Sequence, residues 1–126
     1  ECSEGSNWEA ILFAAHHKLD NLVVIVDRNM LQSIYSTEDT LALEPFSEKW
    51  KAFGWNVVEI DGHNHEEILD ACKDDSKGLN KPLCVIASTI KGKNVSFMEN
   101  NILWHYRSPQ GEEYEAAMAE LELNDA

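Results

Sequence analysis

The sequence predicts an α/β fold, a parallel sheet with helices on both faces. Three short strand-like runs, at 22–26, 55–60 and 83–88, alternate with helical stretches, the pattern of βαβ units joined by right-handed crossovers. All three then release their following loops at one edge of the sheet, where open α/β sheets bind ligands. The 126 residues are 44% apolar, enough to bury a core, and make one domain or part of one.

In chain order, Ser6 or Asn7 is placed to cap a first helix, with Trp8, Ile11, Leu12, Ala15 and Leu19 following at helical spacing. That face is expected on the sheet. His16 and His17 are adjacent, so they point about 100° apart on a helix and make a poor metal pair. Asn21–Leu31 reads NLVVIVDRNML. Its run Leu22 to Val26 is β-branched at four of five positions and stops at Asp27-Arg28-Asn29, which predicts a strand buried on both faces. Asp27 and Asn29, two apart on an extended chain, point the same way. A carboxylate and an amide oxygen are hard ligands suited to magnesium or calcium. Asp and Asn also end strands as ordinary turn residues, and both readings stand on these residues alone.

Gln32–Leu43 is rich in Ser and Thr without a sustained period and reads as a loop. Pro45 is expected to start a short helix with Phe46, Trp50 and Phe53 on one side, ended by Gly54. Trp55–Ile60 is the second strand. Asp61-Gly62-His63 turns the chain, and Asn64 with Glu67 forms a capping-box pattern for a helix burying Ile68, Leu69 and Cys72. Lys81-Pro82 leads into the third strand, Leu83–Ser88. Thr89-Ile90-Lys91-Gly92-Lys93-Asn94 then delivers two ammonium groups on a Gly-containing loop at the ligand edge. Val95–Arg107 is irregular, with Phe97, Met98, Ile102, Leu103 and Trp104 expected to pack and hold His105. Ser108-Pro109 caps a last helix, Gln110–Leu123, where Tyr114, Met118 and Leu121 form one stripe.

A net charge of −13 argues against nucleic acid or an anionic membrane surface as partner. Lys81, Lys91, Lys93 and Arg107 still leave room for a local anion site. Cys2, Cys72 and Cys84 contain no CxxC pair and read as reduced thiols, which predicts a cytoplasmic protein. No apolar stretch is long enough to span a bilayer, and none reads as a signal peptide. The chain has no initiator Met and opens at Glu1-Cys2-Ser3-Glu4-Gly5, so it is expected to be cut from something longer.

Glu4-Gly5 with Glu9-Ala10, Asn21-Leu22 to Asp27-Arg28-Asn29, Thr89-Ile90-Lys91-Gly92-Lys93, Phe97-Met98-Glu99-Asn100-Asn101 and Trp104-His105 form an ordered series. Together they resemble the amino-terminal half of a transketolase, most closely the split form in which that half is a separate polypeptide. The resemblance covers essentially all of 1–126 and implies the C-terminal portion of a thiamine diphosphate-binding domain. The first strands and the Gly-Asp-Gly triplet of that domain are not in this sequence. It further implies thiamine diphosphate and Mg2+ (or Ca2+) as cofactors, and transfer of a two-carbon ketol unit between sugar phosphates. By the same resemblance Asn29 is a side-chain metal ligand and Leu31 offers its backbone carbonyl. Lys91 lies near the cofactor, and His105 near the diphosphate and the reacting sugar. Glu4 and Glu9 resemble interface carboxylates that connect to the acid activating the aminopyrimidine.

That acid belongs to a pyrimidine-binding domain, so the implied partner is the other transketolase half or subunit, in a dimer or heterotetramer. The chain alone is expected to bind the cofactor weakly and to be inactive. The alternatives are a non-catalytic fragment or assembly half, or a related enzyme such as 1-deoxyxylulose-5-phosphate synthase or pyruvate dehydrogenase E1. The FMENN and WH elements favour transketolase over these. Many family members follow the Trp-His pair with Gly. Tyr106-Arg107 here adds a hydroxyl and a phosphate-binding fork.

Overall fold

A computed structural model describes residues 1–73 and 80–124. The chain divides into two compact units. The first takes Glu1–Arg28 and Leu41–Thr89 and contains the sheet; the second takes Asn29–Thr40 and the chain from Ile90 onward.

In the first unit, β1 (Val23–Arg28), β2 (Asn56–Asp61) and β3 (Leu83–Ser88) form a parallel sheet in the order β1-β3-β2. Val23 and Asn56 both pair with Leu83, and the register runs unbroken to Arg28 and Asp61 opposite Ser88. Alternation along β3 sends its side chains into two cores. Cys84 and Ile86 join Ile11, Ala14, Leu43, Phe46, Trp50 and Trp55 on one face. Leu83, Val85 and Ala87 join Ile60 and Ala71 on the other. Helices α1 (Gly5–His16) and α3 (Phe46–Ala52) therefore cover one face, and α4 (His65–Lys73) covers the other. The predicted α/β class with helices on both faces is what is found.

Strand β3 has the predicted bounds and lies at the centre of the three-stranded sheet, buried from Leu83 to Ala87. The first strand corrects its expectation. It runs on through Asp27 and Arg28 and occupies an edge of this sheet, with Ile25 56% exposed rather than covered on both faces. A β-branched run specifies a strand, but its place in the sheet depends on which other strands pair with it. The second strand starts one residue late because Trp55 turns inward first, donating its indole N–H to the Ile11 carbonyl at 2.9 Å.

Helix α1 begins earlier than expected. Its N-cap is Glu4, and Ser6 and Asn7 lie inside the helix. The buried side is Ile11 and Ala14, with Trp8 and Ala15 beside them, while Leu12 and Leu19 are exposed. Helix α3 follows its pattern, with Pro45 at the N-cap, Phe46 and Trp50 buried, and Gly54 at φ +93° beyond its end. In α4 the buried residue is Ala71, with Ile68 packed alongside, and Leu69 is exposed. The capping residues act as the pattern predicts at one end of the pair. The Asn64 Oδ1 accepts from the amides of Glu66 and Glu67, at 3.0 and 3.3 Å. Glu67 reaches further back than a simple capping box and accepts from the Asp61 amide at 2.8 Å.

The second unit contains α5 (Glu112–Asn124), a 3₁₀ turn at Ile102–His105 and most of the short helix α2 (Thr37–Leu41). Helix α2 falls in the stretch expected to be a loop. Ser36 starts it, its hydroxyl oxygen accepting from the Asp39 amide at 3.1 Å and donating back to the Asp39 carboxylate at 2.6 Å. On α5 the buried residue is Ala117, and the expected stripe of Tyr114, Met118 and Leu121 is exposed by 50%, 38% and 38%. The inner side is fixed by polar pairs instead, Arg107 to Glu113 and Ser96 to Glu120. Among the described residues, no helix is long and apolar enough to cross a membrane.

Candidate functional site

Four of the six expected site residues, Asn29, Leu31, Lys91 and His105, fall in the second unit, and Glu4 and Glu9 fall in the first. The turn after β1 is built by Asn29 itself. Its Oδ1 accepts from the Leu31 amide at 2.9 Å, and Met30 between them is left-handed at φ +61°. A carboxamide oxygen has two lone pairs, so one remains for a cation while the other holds the turn. The turn is tied further by the Thr37 amide donating to the Met30 carbonyl at 2.9 Å, and by a bridge between Leu31 and Ser36.

Asp27, for which ligand and turn readings both stood, takes a structural part. It lies within β1, opposite Ala87, and its carboxylate accepts the Thr89 hydroxyl. It closes the ends of β1 and β3 rather than extending a ligand pair with Asn29. Arg28 beside it is buried, and its guanidinium is neutralised by Glu44 at 2.8 Å while stacking on Phe46. Among the described residues, no group of three or more His, Cys, Asp or Glu is arranged to hold a metal. A cation at Asn29 would be held by its amide oxygen and the Leu31 carbonyl together with oxygens of an anionic ligand.

Gln32, next to Leu31, supplies the signal that the motif series missed. Its Nε2 is buried and has no hydrogen-bond partner among the described residues. A buried N–H without an acceptor is costly, and a phosphate oxygen is an acceptor of the right kind. Hard oxygen donors at Asn29 and Leu31, next to the Gln32 side-chain amide, fit a cation bound together with a diphosphate.

Lys91 sits on a tight loop. Its carbonyl accepts from the Asn100 amide at 2.9 Å, and Gly92 at φ +72° lies against Met98 so closely that a Cβ would stand 2.7 Å from the Met98 carbonyl oxygen. The FMENN segment thus acts as the wedge that shapes the lysine loop. His105 ends the 3₁₀ turn. Asn101 opens that turn by accepting from the Leu103 amide at 3.0 Å, and Trp104 anchors it with an indole N–H to the Phe97 carbonyl at 3.0 Å. The anchor leaves His105 exposed, its ring edge-on to Tyr106 at 4.9 Å. Leu103, expected to pack, is 50% exposed. Arg107, expected as a phosphate fork, stacks on Trp104 at 4.5 Å and pairs with Glu113. Glu4 is exposed at the start of α1, and its carboxylate accepts from the Ser6 hydroxyl at 3.2 Å without capping the helix backbone. Glu9 is exposed on the same helix.

The family model described as "Transketolase, thiamine diphosphate binding domain" matches residues 1–124. The chain belongs to that family. It is 45% identical over 121 residues to a subunit of the apulose-4-phosphate transketolase of Actinobacillus succinogenes, spanning 96% of this chain and 44% of that protein. It is 41% identical over 126 residues to the 6-deoxy-6-sulfo-D-fructose transketolase subunit SqwG of a Clostridium species, covering all of this chain and 46% of that one. The crystal structure of transketolase from Campylobacter jejuni superposes with a TM-score of 0.74 at 31% identity, covering 81% of this chain and 16% of that chain. The transketolase-family chain thus spans under half the length of the two subunit relatives. The transketolase resemblance read from the motif series is borne out by these matches.

Proposed function

We propose that this chain supplies the metal- and diphosphate-binding side of a transketolase-type active site. The observation that carries the reading is the Asn29–Leu31 turn, with its free amide lone pair and the unpaired Gln32 donor beside it, in a chain matched by the thiamine diphosphate-binding family. In this reading Asn29 Oδ1 and the Leu31 carbonyl hold a magnesium or calcium ion, and Lys91 adds positive charge for the diphosphate. Bound thiamine diphosphate supplies the carbanion-stabilising chemistry by which a two-carbon ketol unit moves between phosphorylated sugars. His105 donates a hydrogen bond to a sugar or phosphate oxygen and takes part in proton transfer. Glu4 and Glu9 meet the polypeptide that carries the pyrimidine-binding domain and its activating acid.

The relatives named as transketolase subunits support a partner polypeptide of that kind. The proposed assembly is a dimer or heterotetramer, and its proposed location is the cytoplasm. The test is a coupled assay of ketol transfer from a phosphorylated ketose to an aldose phosphate. It uses the complete polypeptide that carries this chain, assembled with that partner. Activity should require both thiamine diphosphate and a divalent metal. His105→Ala should lower kcat/KM by roughly one to three orders of magnitude, the range of general acid–base contributions. His105→Gln should recover only the share due to hydrogen bonding. Wild-type kinetics in His105→Ala would remove the residue from the site.

A further inference from the structure

The loop that carries Asn29 and the turn that carries His105 are joined by a long-range hydrogen bond. The Tyr106 hydroxyl donates to the Ser33 carbonyl at 2.9 Å across 73 residues of sequence. We infer that Tyr106 is a positioning residue, holding the His105 turn at a fixed distance from the Asn29–Leu31 loop and so setting where the imidazole meets the sugar. The inference rests on the function proposed above.

Both ends of the strut are stiff. At one end, Tyr106 closes the 3₁₀ turn through its own amide, which donates to the Leu103 carbonyl at 3.2 Å. Its ring also stands edge-on to His105 at an interplanar angle of 87°, bounding one side of the imidazole. At the other end, Ser33 lies two residues past Leu31 in a loop fastened by the Gln32 amide to the Tyr35 carbonyl at 2.9 Å and by the Leu31–Ser36 bridge. A displacement of Ser33 is therefore passed to Leu31, and a displacement of Tyr106 to His105. Tyr106 itself is 69% exposed. The hydroxyl, and not burial of the ring, makes the link. A binding group held loosely by even an ångström loses rate, so a strut between cofactor loop and substrate-facing histidine affects turnover more than folding.

The experiment is a double-mutant cycle in the assembled enzyme, with Tyr106→Phe made in the wild-type and His105→Ala backgrounds. Phenylalanine keeps the ring and deletes only the donor. In the wild-type background kcat/KM should fall about three- to tenfold, the scale of one hydrogen bond. The dissociation constant for thiamine diphosphate with magnesium should stay within about twofold, because the Asn29 loop keeps its internal ties. In the His105→Ala background Tyr106→Phe should change kcat/KM by less than about twofold, since the group it positions is gone. An unchanged kcat/KM in Tyr106→Phe, or the same loss in both backgrounds, would overturn the inference while leaving the proposed function intact. A wild-type assembly that neither binds the cofactor nor transfers a ketol unit would instead overturn that function, and this inference with it.

Discussion

Glu120 on α5 is held by Ser96 at two points, accepting from the Ser96 amide and, at 2.7 Å, from its hydroxyl. These bonds favour the ionised carboxylate and hold it below the usual carboxylate range. A carboxyl lowered on folding contributes stability above its unfolded pKa, and that contribution is lost as pH falls through the folded pKa. Thermal melts of wild type and Glu120→Gln should therefore differ above the ordinary glutamate range, from about pH 5 upward, and the gap should close as pH falls through the lowered folded pKa. A gap of constant size across that range would show that the pair contributes no pH-linked stability.

Gly92 and Gly111 are both left-handed, at φ +72° and +55°, but only Gly92 would meet a neighbour if it carried a Cβ. Alanine at either position bears the backbone penalty of roughly 1–2 kcal/mol. Gly92→Ala must also displace Met98 and should lose a further 1 kcal/mol or more, on the order of ordinary overpacking costs. Denaturant midpoints of the two variants measure the difference. Equal midpoints would mean that the FMENN segment yields without cost and does not shape the lysine loop.

Glu4 occupies the N-cap of α1, yet its side chain makes no hydrogen bond to the helix backbone. What structural role remains is the helix dipole, worth roughly 0.3–1 kcal/mol. Glu4→Gln should leave the melting temperature nearly unchanged and lower turnover of the assembled enzyme. Normal turnover with a lowered melting temperature would leave only the helix-end role.

The parts of the fold legible in the sequence are those fixed by neighbours in the chain. Leu83–Ser88 has the predicted bounds, because Pro82 before it and polar residues after it delimit an apolar run. The Phe46–Trp50 face of α3 and the Asn64 cap of α4 are local signals and are readable for the same reason. The rotation of α1 and α4 is not, since Leu12 and Leu69 lose their places to Ala14 and Ala71. Close approach of a helix to a sheet favours the small residue, and apolar spacing alone does not encode it.

In the site, the motif series pointed to Asn29, Lys91 and His105, which share one unit. The spacing of Asp27 from Asn29 left a ligand reading open and Arg107 was expected as a phosphate fork, where the structure pairs them with Thr89 and Glu113. Such pairings are tertiary, and a charged side chain in a motif carries no sign of who neutralises it. The bond from Tyr106 to Ser33 is invisible for the same reason. The Ser36 to Asp39 cap, by contrast, is local and could have revealed α2.

The central claim is that the Asn29 turn holds a metal-bound diphosphate, and the direct measurement is calorimetric titration of thiamine diphosphate with magnesium into the complete assembled enzyme and its Asn29→Ala variant. Binding to the wild type should be saturable and magnesium-dependent. Affinity should be at least about tenfold weaker in the variant, by comparison with the losses caused by altering groups around a metal. Equal affinity in the two proteins, or binding indifferent to magnesium, would contradict the claim.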